Sequence, residues 1–289
     1  MTELDRLADR FEAHRSHLRG VAYRMLGSLS EADDAVQEAW LRLARADPDD
    51  VQNLAGWLTT VVSRLCLDAL RSRAARHEDL VGQHHPDAPG GAEPEPEALL
   101  VDEVGRALLV VLETLGPAER IAFVLHDLFA VPFDEIAPVL DRSPASTKKL
   151  ASRARLRVRG TPAVGDSDLQ RHRRIVEMFL AASRAGDVDA VLAVLDPDVV
   201  RRADRFAIPA GRQLEARGAR RVADEVAVFG ARARFADLAL VDGDVGIVVA
   251  PHGRLQLALT VRLAGDRIVG YELIADPTRI ARLDLAVLD

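Results

Sequence analysis

Residues 133–157 read FDEIAPVLDRSPASTKKLASRARLR. Apolar residues recur at helical spacing on either side of the turn Asp141-Arg142-Ser143, which predicts short helices over 133–140 and 144–157. Ser143 suits a helix N-cap, and Pro144 suits the first helical position, where its missing N–H costs nothing. Pro138 is an irregularity in the first helix, because proline removes a helical hydrogen bond. The second helix is cationic: residues 141–160 carry seven basic side chains and one acidic. Two short helices joined by a tight turn, the second basic, fit a helix-turn-helix, whose second helix sends its N-terminal residues into the major groove. Ser146, Thr147, Lys148, Lys149, Ser152, Arg153 and Arg155 are the candidates to meet base edges and phosphates there. A solvated basic helix near a domain end is the plainer alternative.

This cationic segment sits in an acidic chain. The 289 residues hold 38 basic and 45 acidic side chains, a formal net charge of −7. Lysine occurs only at 148 and 149, an arginine skew that genome composition accounts for. With 48% hydrophobic residues the chain has the material for packed cores, and at ~150 residues per domain its length allows about two. No apolar run approaches the ~18 residues of a membrane span. Met1 to Gly20 lacks a signal-peptide apolar segment, and a single cysteine, Cys66, excludes an intramolecular disulfide or a multi-cysteine metal site. These features favour a cytoplasmic protein, with no membrane partner, metal or cofactor expected.

The pattern divides the chain into five parts. Residues 1–77 read as helices: one to Gly27, a second capped by Ser30 with Ala35, Val36, Ala39, Trp40 and Leu43 on one side, and a third over 54–73. Residues 78–97 form an acidic Pro/Gly linker, and 81–103 contain six acidic and no basic residues. His84 and His85 lie there without a third ligand nearby. Helices return over 98–160, including the helix-turn-helix. After a short linker over 161–167, residues 168–289 begin with helices at about 168–185 and 188–195 and a third at 218–230. The rest alternates with period two, with turns at Asp242-Gly243, His252-Gly253 and Gly265-Asp266, and so predicts an antiparallel meander. The fold class is multidomain: two all-α modules followed by an α+β domain.

Two further clusters stand out. Residues 54–73 place Trp57 near Arg64, Asp68, Arg71 and Arg73, and the spacing sets Arg64, Asp68 and Arg71 on one face. Aromatics beside cations suit stacking on unpaired bases, although a core tryptophan with surface ion pairs explains the same pattern. Glu31, Asp33, Asp34, Gln37 and Glu38 crowd the start of the second helix, where acids favour the helix dipole or offer a basic partner a docking face.

With these segments in view, residues 1–160 resemble an extracytoplasmic-function (ECF) sigma factor, the promoter-recognition subunit of bacterial RNA polymerase. SEADDAVQEAWLRL (30–43) is similar to the region-two helix that docks on the polymerase clamp. LAGWLTTVVSRLCLDALRSR (54–73) resembles the helix that engages the minus-ten element. LGPAERIAFVLHDLFAVPFDEIAPVLDRSPASTKKLASRARLRVR (115–159) resembles region four, which reads the minus-thirty-five element. The stretch from His126 onward is similar to a SigJ-like subgroup with a C-terminal SnoaL-like cone. Two stretches depart from that subgroup: Gln83-His84-His85-Pro86-Asp87 replaces its Trp-Leu-Pro-Glu-Pro-Leu linker motif, and Asp276-Pro277-Thr278-Arg279-Ile280 replaces its Asn-Pro-Asp-Lys-Leu motif.

The resemblance implies roles. Asp33, Asp34, Gln37, Glu38, Trp40 and Leu41 contact core RNA polymerase. Asn53, Trp57, Arg64, Asp68, Arg71 and Arg73 bind the melted minus-ten strand of promoter DNA. Ser146 to Arg155 read minus-thirty-five duplex, and Asp276 to Ile280 form a regulatory motif through which the extension acts in cis. No catalytic residue is needed, since the polymerase performs the chemistry. A SnoaL-like cone can be a cyclase or another enzyme that uses an Asp or His in an apolar pocket, for which Asp198, Arg201, Asp204, His252, Tyr271 and Glu272 are the polar candidates; His252 reads as a turn residue, no acid–base pair emerges from spacing, and a non-catalytic regulatory domain that takes a small ligand is the favoured expectation. The rival readings are a one-component DNA-binding regulator with a ligand-sensing tail and a cyclase-like enzyme fused to a DNA-binding module. Pairing of two cones into a homodimer is open.

Overall fold

The computed structural model describes residues 3–46, 51, 53–79 and 105–288. These fall into two compact units, 3–79 with 112–156, and 105–111 with 157–288. The stretch 80–104, which holds most of the acidic linker and His84-His85, lies outside the described residues.

The first unit opens with three helices, α1 (Glu3–Leu26), α2 (Leu29–Leu43) and α3 (Leu54–Asp79). α1 buries Phe11, Leu18, Val21, Ala22 and Met25, and α3 buries Leu54, Leu58, Val62, Cys66 and Leu70. These positions recur every three or four residues, so each helix turns one apolar stripe inward. Gly27 ends α1 at φ +71, a left-handed conformation that glycine adopts without strain. The cap of α2 is Ser28, not Ser30: its backbone is extended, and its Oγ accepts the Glu31 N–H at 3.4 Å. The serine next to the terminating glycine is the one already outside the helix, so it holds the capping geometry.

The remaining helices of this region are short. α4 (Arg106–Glu113) straddles the division between units. α5 (Pro117–Phe123) runs on through one wide turn, Val124–Leu128. α6 is only Phe133–Ile136, shorter than the expected 133–140, since the chain leaves the helix before Pro138. α7 (Pro144–Arg159) follows.

In the second unit α8 (Asp166–Ala185) buries Ile175, Val176, Phe179 and Leu180 and ends at Gly186, φ +66. α9 (Val188–Val194) is capped by Asp187, whose carboxylate accepts the Ala190 N–H at 3.0 Å. β1 (Leu195–Ala203), β2 (Glu215–Arg217), α10 (Ala219–Phe229), β3 (Ala236–Val241), β4 (Asp244–Val249), β5 (Leu257–Ala264), β6 (Arg267–Ile274), α11 (Pro277–Ile280) and β7 (Leu285–Val287) complete it. The sheet order is β2-β1-β6-β5-β4-β3-β7. β3 to β6 form the expected antiparallel meander, with Leu238 opposite Ile247 and Val261 opposite Tyr271. β1 departs from it, pairing parallel to β6 with Arg201 opposite Tyr271. The helix expected to reach 195 therefore stops one residue earlier, where Leu195 starts a strand. The core of this unit is Phe179, Leu180, Val194, Val199, Val222, Val245, Ile247, Ile268 and their neighbours.

The second unit also holds the first turns of α4. Arg106 donates to the Ala250 carbonyl at 3.4 Å and lies over the Phe235 ring, and the Ala107 N–H donates to Asp237 Oδ2 at 3.4 Å. Gly253, φ +72, packs on Leu109: a Cβ there would sit 2.8 Å from Leu109 Cδ1. No helix among the described residues is long and apolar enough to cross a membrane.

Candidate nucleic-acid interface

α7 carries its chemistry on one face because the other is buried. Thr147, Leu150, Ala151, Ala154 and Val158 face the core. Lys148, Lys149, Ser152 and Arg153 are exposed on the opposite side. Ser143 caps the helix as expected: its Oγ accepts the Ser146 N–H at 3.2 Å and donates to Ser146 Oγ at 3.0 Å. Thr147 is the correction here. It is fully buried and its hydroxyl donates to the Ser143 carbonyl at 3.1 Å, so it packs the turn and does not face a groove. Two arginines of the set are paired within the module. Arg153 meets Glu119 at 3.2 Å, and Arg155 donates to Asp127 at 2.6 Å, which raises the guanidinium above its ordinary value. His126, stacked on Phe133 with centroids 3.8 Å apart and bonded through Nδ1 to the Val131 carbonyl, braces the turn before α6.

The second set lies along α3. Asn53 caps the helix, its Oδ1 accepting the Gly56 N–H at 3.2 Å. Trp57 is half-buried one turn on. Arg64, Asp68 and Arg71 are exposed on one face, as the spacing requires, with Asp68 and Arg71 3.9 Å apart. Arg64 donates to the Pro138 carbonyl at 3.2 Å. Arg73 is drawn away from that face: it pairs with Glu31 and donates to the Leu26 carbonyl at 3.0 Å, tying α3 to the α1–α2 junction. It is therefore a structural arginine in this state.

α2 splits the third set. Asp33, Asp34 and Gln37 are exposed, and Glu38 holds Arg42 at 3.0 Å. Leu41 is 40% exposed, while Trp40 is half-buried with its ring 5.2 Å from that of Phe11. The result is an acidic face with one open leucine.

Sequence reasoning missed Arg120. It lies in α5 at 3% exposure; its Nε–H donates to the Arg24 carbonyl at 3.3 Å, and its Nη2 has no hydrogen-bond partner. Burial pulls it down to about 10, against the opposing pull of Glu113. Nothing in LGPAERIAF marks this arginine as buried.

In the extension the polar candidates are spent on structure. Arg201 is 4% exposed, paired with Glu225, and donates to the Gln213 and Leu214 carbonyls at 3.0 and 3.2 Å. Burial raises the Tyr271 hydroxyl well above the usual tyrosine range. Asp204 accepts four backbone N–H groups, those of Phe206 and Ala207 on Oδ1 at 3.0 Å each and those of Ala275 and Asp276 on Oδ2 at 2.8 Å each. Asp276 in turn caps α11, accepting from Thr278 at 2.8 Å, and Arg279 meets Glu272 at 2.8 Å. His252 sits in a turn at φ +54, and Asp198 is exposed.

Residues 10–76 match the Sigma-70 region 2 model, and residues 105–158 match the Sigma-70, region 4 model. The chain is 44% identical over 256 residues to the ECF RNA polymerase sigma factor SigJ of Mycobacterium tuberculosis, an alignment covering 83% of this chain and 80% of that one. It is 39% identical over 208 residues to the probable ECF RNA polymerase sigma factor SigI of the same species, covering 71% and 72%. The crystal structure of M. tuberculosis SigJ superposes with a TM-score of 0.48 at 35% identity, covering 94% of this chain and 97% of that one.

Proposed function

The chain belongs to the extracytoplasmic-function RNA polymerase sigma factors, and from that membership we propose how its surfaces divide the work of promoter recognition. The family binds core RNA polymerase and promoter DNA and directs initiation at chosen promoters. Here α7 reads the minus-thirty-five duplex with Ser146, Lys148, Lys149, Ser152 and Arg153; Arg155 braces the helix through Asp127. α3 engages the minus-ten strand with Asn53, Trp57, Arg64, Asp68 and Arg71. Flipping a base out of the stack costs a few kcal/mol; a half-buried tryptophan beside arginines supplies stacking and phosphate contact to offset it. The acidic face of α2, with Leu41 at its centre, docks on the polymerase.

The observation that carries this reading is the two-sided build of α7. Its cationic residues are held outward by a buried stripe and aimed by the Ser143 cap. The test is run-off transcription from a genomic library with sigma-free core polymerase and the full-length chain. Discrete starts sharing two upstream boxes support the reading, and Lys148→Ala with Lys149→Ala abolishes them. Specific starts that survive this double substitution refute the assignment of α7.

The extension acts in cis and without chemistry of its own. Its hold on α4, the first helix of region four, through Asp237, Ala250 and Gly253 supports the first part. The engagement of Arg201 and Asp204 by structural partners supports the second. Asp237→Ala frees the Ala107 N–H and changes transcript yield; an unchanged yield counts against coupling through α4.

A further inference from the structure

The cations of α7 are held in two different ways. Lys148 and Lys149 are exposed and make no ion pair with a described residue. Arg153 and Arg155 are each met at Nε by a carboxylate from the segment before the helix-turn-helix. Arg153 Nε lies 3.2 Å from Glu119 Oε1, and Arg155 Nε–H donates to Asp127 Oδ1 at 2.6 Å. Both carboxylates are mostly covered, with 18% of each side chain exposed. The arginines differ: 64% of the Arg153 side chain is open to solvent, against 37% for Arg155. A guanidinium met at Nε keeps its two Nη groups for another partner, and Arg153 is the one that presents them to solvent.

Glu119 does not owe its place to Arg153. It stands in the first turn of α5, and the next turn of that helix is anchored by buried Ile121, Ala122 and Phe123. Two consequences follow for a ligand at the Arg153 fork. Holding Nε removes side-chain freedom that binding would otherwise have to freeze. The second is electrostatic. A phosphate brought to the fork comes close to the Glu119 carboxylate, and like charges repel. A guanine edge is uncharged and offers its O6 and N7 acceptors at the spacing of the fork. The carboxylate thus weakens the general contact and spares the specific one, as selective interfaces do when they carry a repulsive element.

On the assignment of α7 given above, on which this role rests, we propose that Glu119 is a positioning residue for promoter recognition. It aims Arg153 at a guanine of the minus-thirty-five box and denies that fork to phosphates. Lys148 and Lys149, as unpaired point charges, hold the backbone instead.

The test uses the full chain bound to core polymerase and duplexes carrying the upstream box shared by its start sites. Each guanine of the box is replaced in turn by deazaguanine, which has carbon in place of N7 and pairs normally. The wild-type complex loses about five-fold in affinity at one guanine. Arg153→Ala binds the natural box more weakly and no longer responds to that replacement. Glu119→Ala keeps the arginine but loses most of the response, and Glu119→Gln, which retains an accepting oxygen, restores the greater part of it. A purely structural Glu119 would weaken binding to every duplex alike and leave the five-fold response in place, and that result overturns the proposal. So does a wild-type complex that responds at no guanine.

A duplex without the box gives a second readout. Glu119→Ala and Glu119→Gln open Arg153 to phosphate, so both bind this duplex several-fold more tightly, and the slope of log affinity against log salt steepens by about 0.9, the value of one added phosphate contact. Adding Arg153→Ala to Glu119→Gln abolishes the gain. Unchanged affinity and slope in the Glu119 variants overturn the proposal. Failure of the underlying assignment looks different: Lys148→Ala with Lys149→Ala would then leave the box bound at full strength. Where that pair weakens binding and deazaguanine has no effect, α7 keeps its assignment and the role of Glu119 falls.

Discussion

Asp204 Oδ2 accepts the backbone N–H of Asp276 at 2.8 Å, so the carboxylate that ends β1 fixes the entry to α11 seventy-two residues later. The same oxygen takes the Ala275 N–H, and Oδ1 takes two more from its own turn. Asp204→Ala leaves four donors to find water or go without. At about 1–3 kcal/mol for each partner left unsatisfied in a protected site, and with non-additivity, a loss of about 3 kcal/mol is expected in the unfolding of the extension. Asp204→Asn keeps one accepting oxygen and loses about half of that. Urea denaturation followed by a tryptophan-independent signal such as far-UV circular dichroism checks both.

The cap of α7 gives a second expectation. Ser143→Ala removes the acceptor of the Ser146 N–H, and loss of such a cap costs about 1 kcal/mol. The helix start frays, so minus-thirty-five binding weakens without removal of any contacting side chain. Lys148→Ala and Lys149→Ala act differently. Each removes a phosphate contact and lowers the slope of log affinity against log salt by about 0.9, whereas Ser143→Ala leaves that slope unchanged. Fluorescence anisotropy across a salt series separates the two.

Much of this architecture was legible in the sequence. Ser143 and Pro144 punctuate the helix-turn-helix so tightly that the 143–144 boundary follows from capping alone. The three α3 residues Arg64, Asp68 and Arg71 fall on one face because the helical period is rigid. The same period could have excluded Thr147, which lies three and seven residues before Leu150 and Ala154 and so shares their buried face. What stayed hidden was non-local. The parallel pairing of β1 with β6 joins residues some seventy positions apart, and no local signal encodes it. Arg73 and Arg120 look like ordinary surface cations; their partners Glu31, Leu26 and Arg24 come from elements distant in sequence. Asp204 reads as one acid in a loop, since its partners are backbone groups and carry no side-chain signature.

His17 meets the Phe129 ring edge-on with centroids 5.2 Å apart, and it gives that contact a pH dependence. Burial holds the imidazole below its ordinary 6.5, and the nearby His14 and Arg24 push in the same direction. Above that value both folded and unfolded chains carry a neutral ring, and no penalty arises. As the pH falls below 6.5, the unfolded chain takes up a proton that the folded chain resists, so stability drops with falling pH. The effect is small, because the ring keeps solvent access. His17→Phe keeps the edge contact and removes the titration. Melting temperatures between pH 7.5 and 5.5 should then fall less for His17→Phe than for wild type; parallel curves for the two would assign the dependence to another group.

Cys66 offers a sharp test of the packing of α3 against its neighbours. The side chain is fully buried, and burial pushes the thiol up to about 12, with Arg120 and Arg73 pulling only weakly the other way. The thiolate is the nucleophile, so at pH 7.5 almost none of the reactive form exists, and the closed core blocks reagents besides. Maleimide should therefore leave the native chain unmodified and label it fully once guanidinium has unfolded it. Cys66→Ala removes one buried sulfur and leaves a small void at a cost of about 1–2 kcal/mol. Rapid labelling of the native chain would mean that α3 opens readily, and the Arg73–Glu31 tie at its C-terminal half would be the first place to look, since it is the ion pair that joins α3 to the α1–α2 junction.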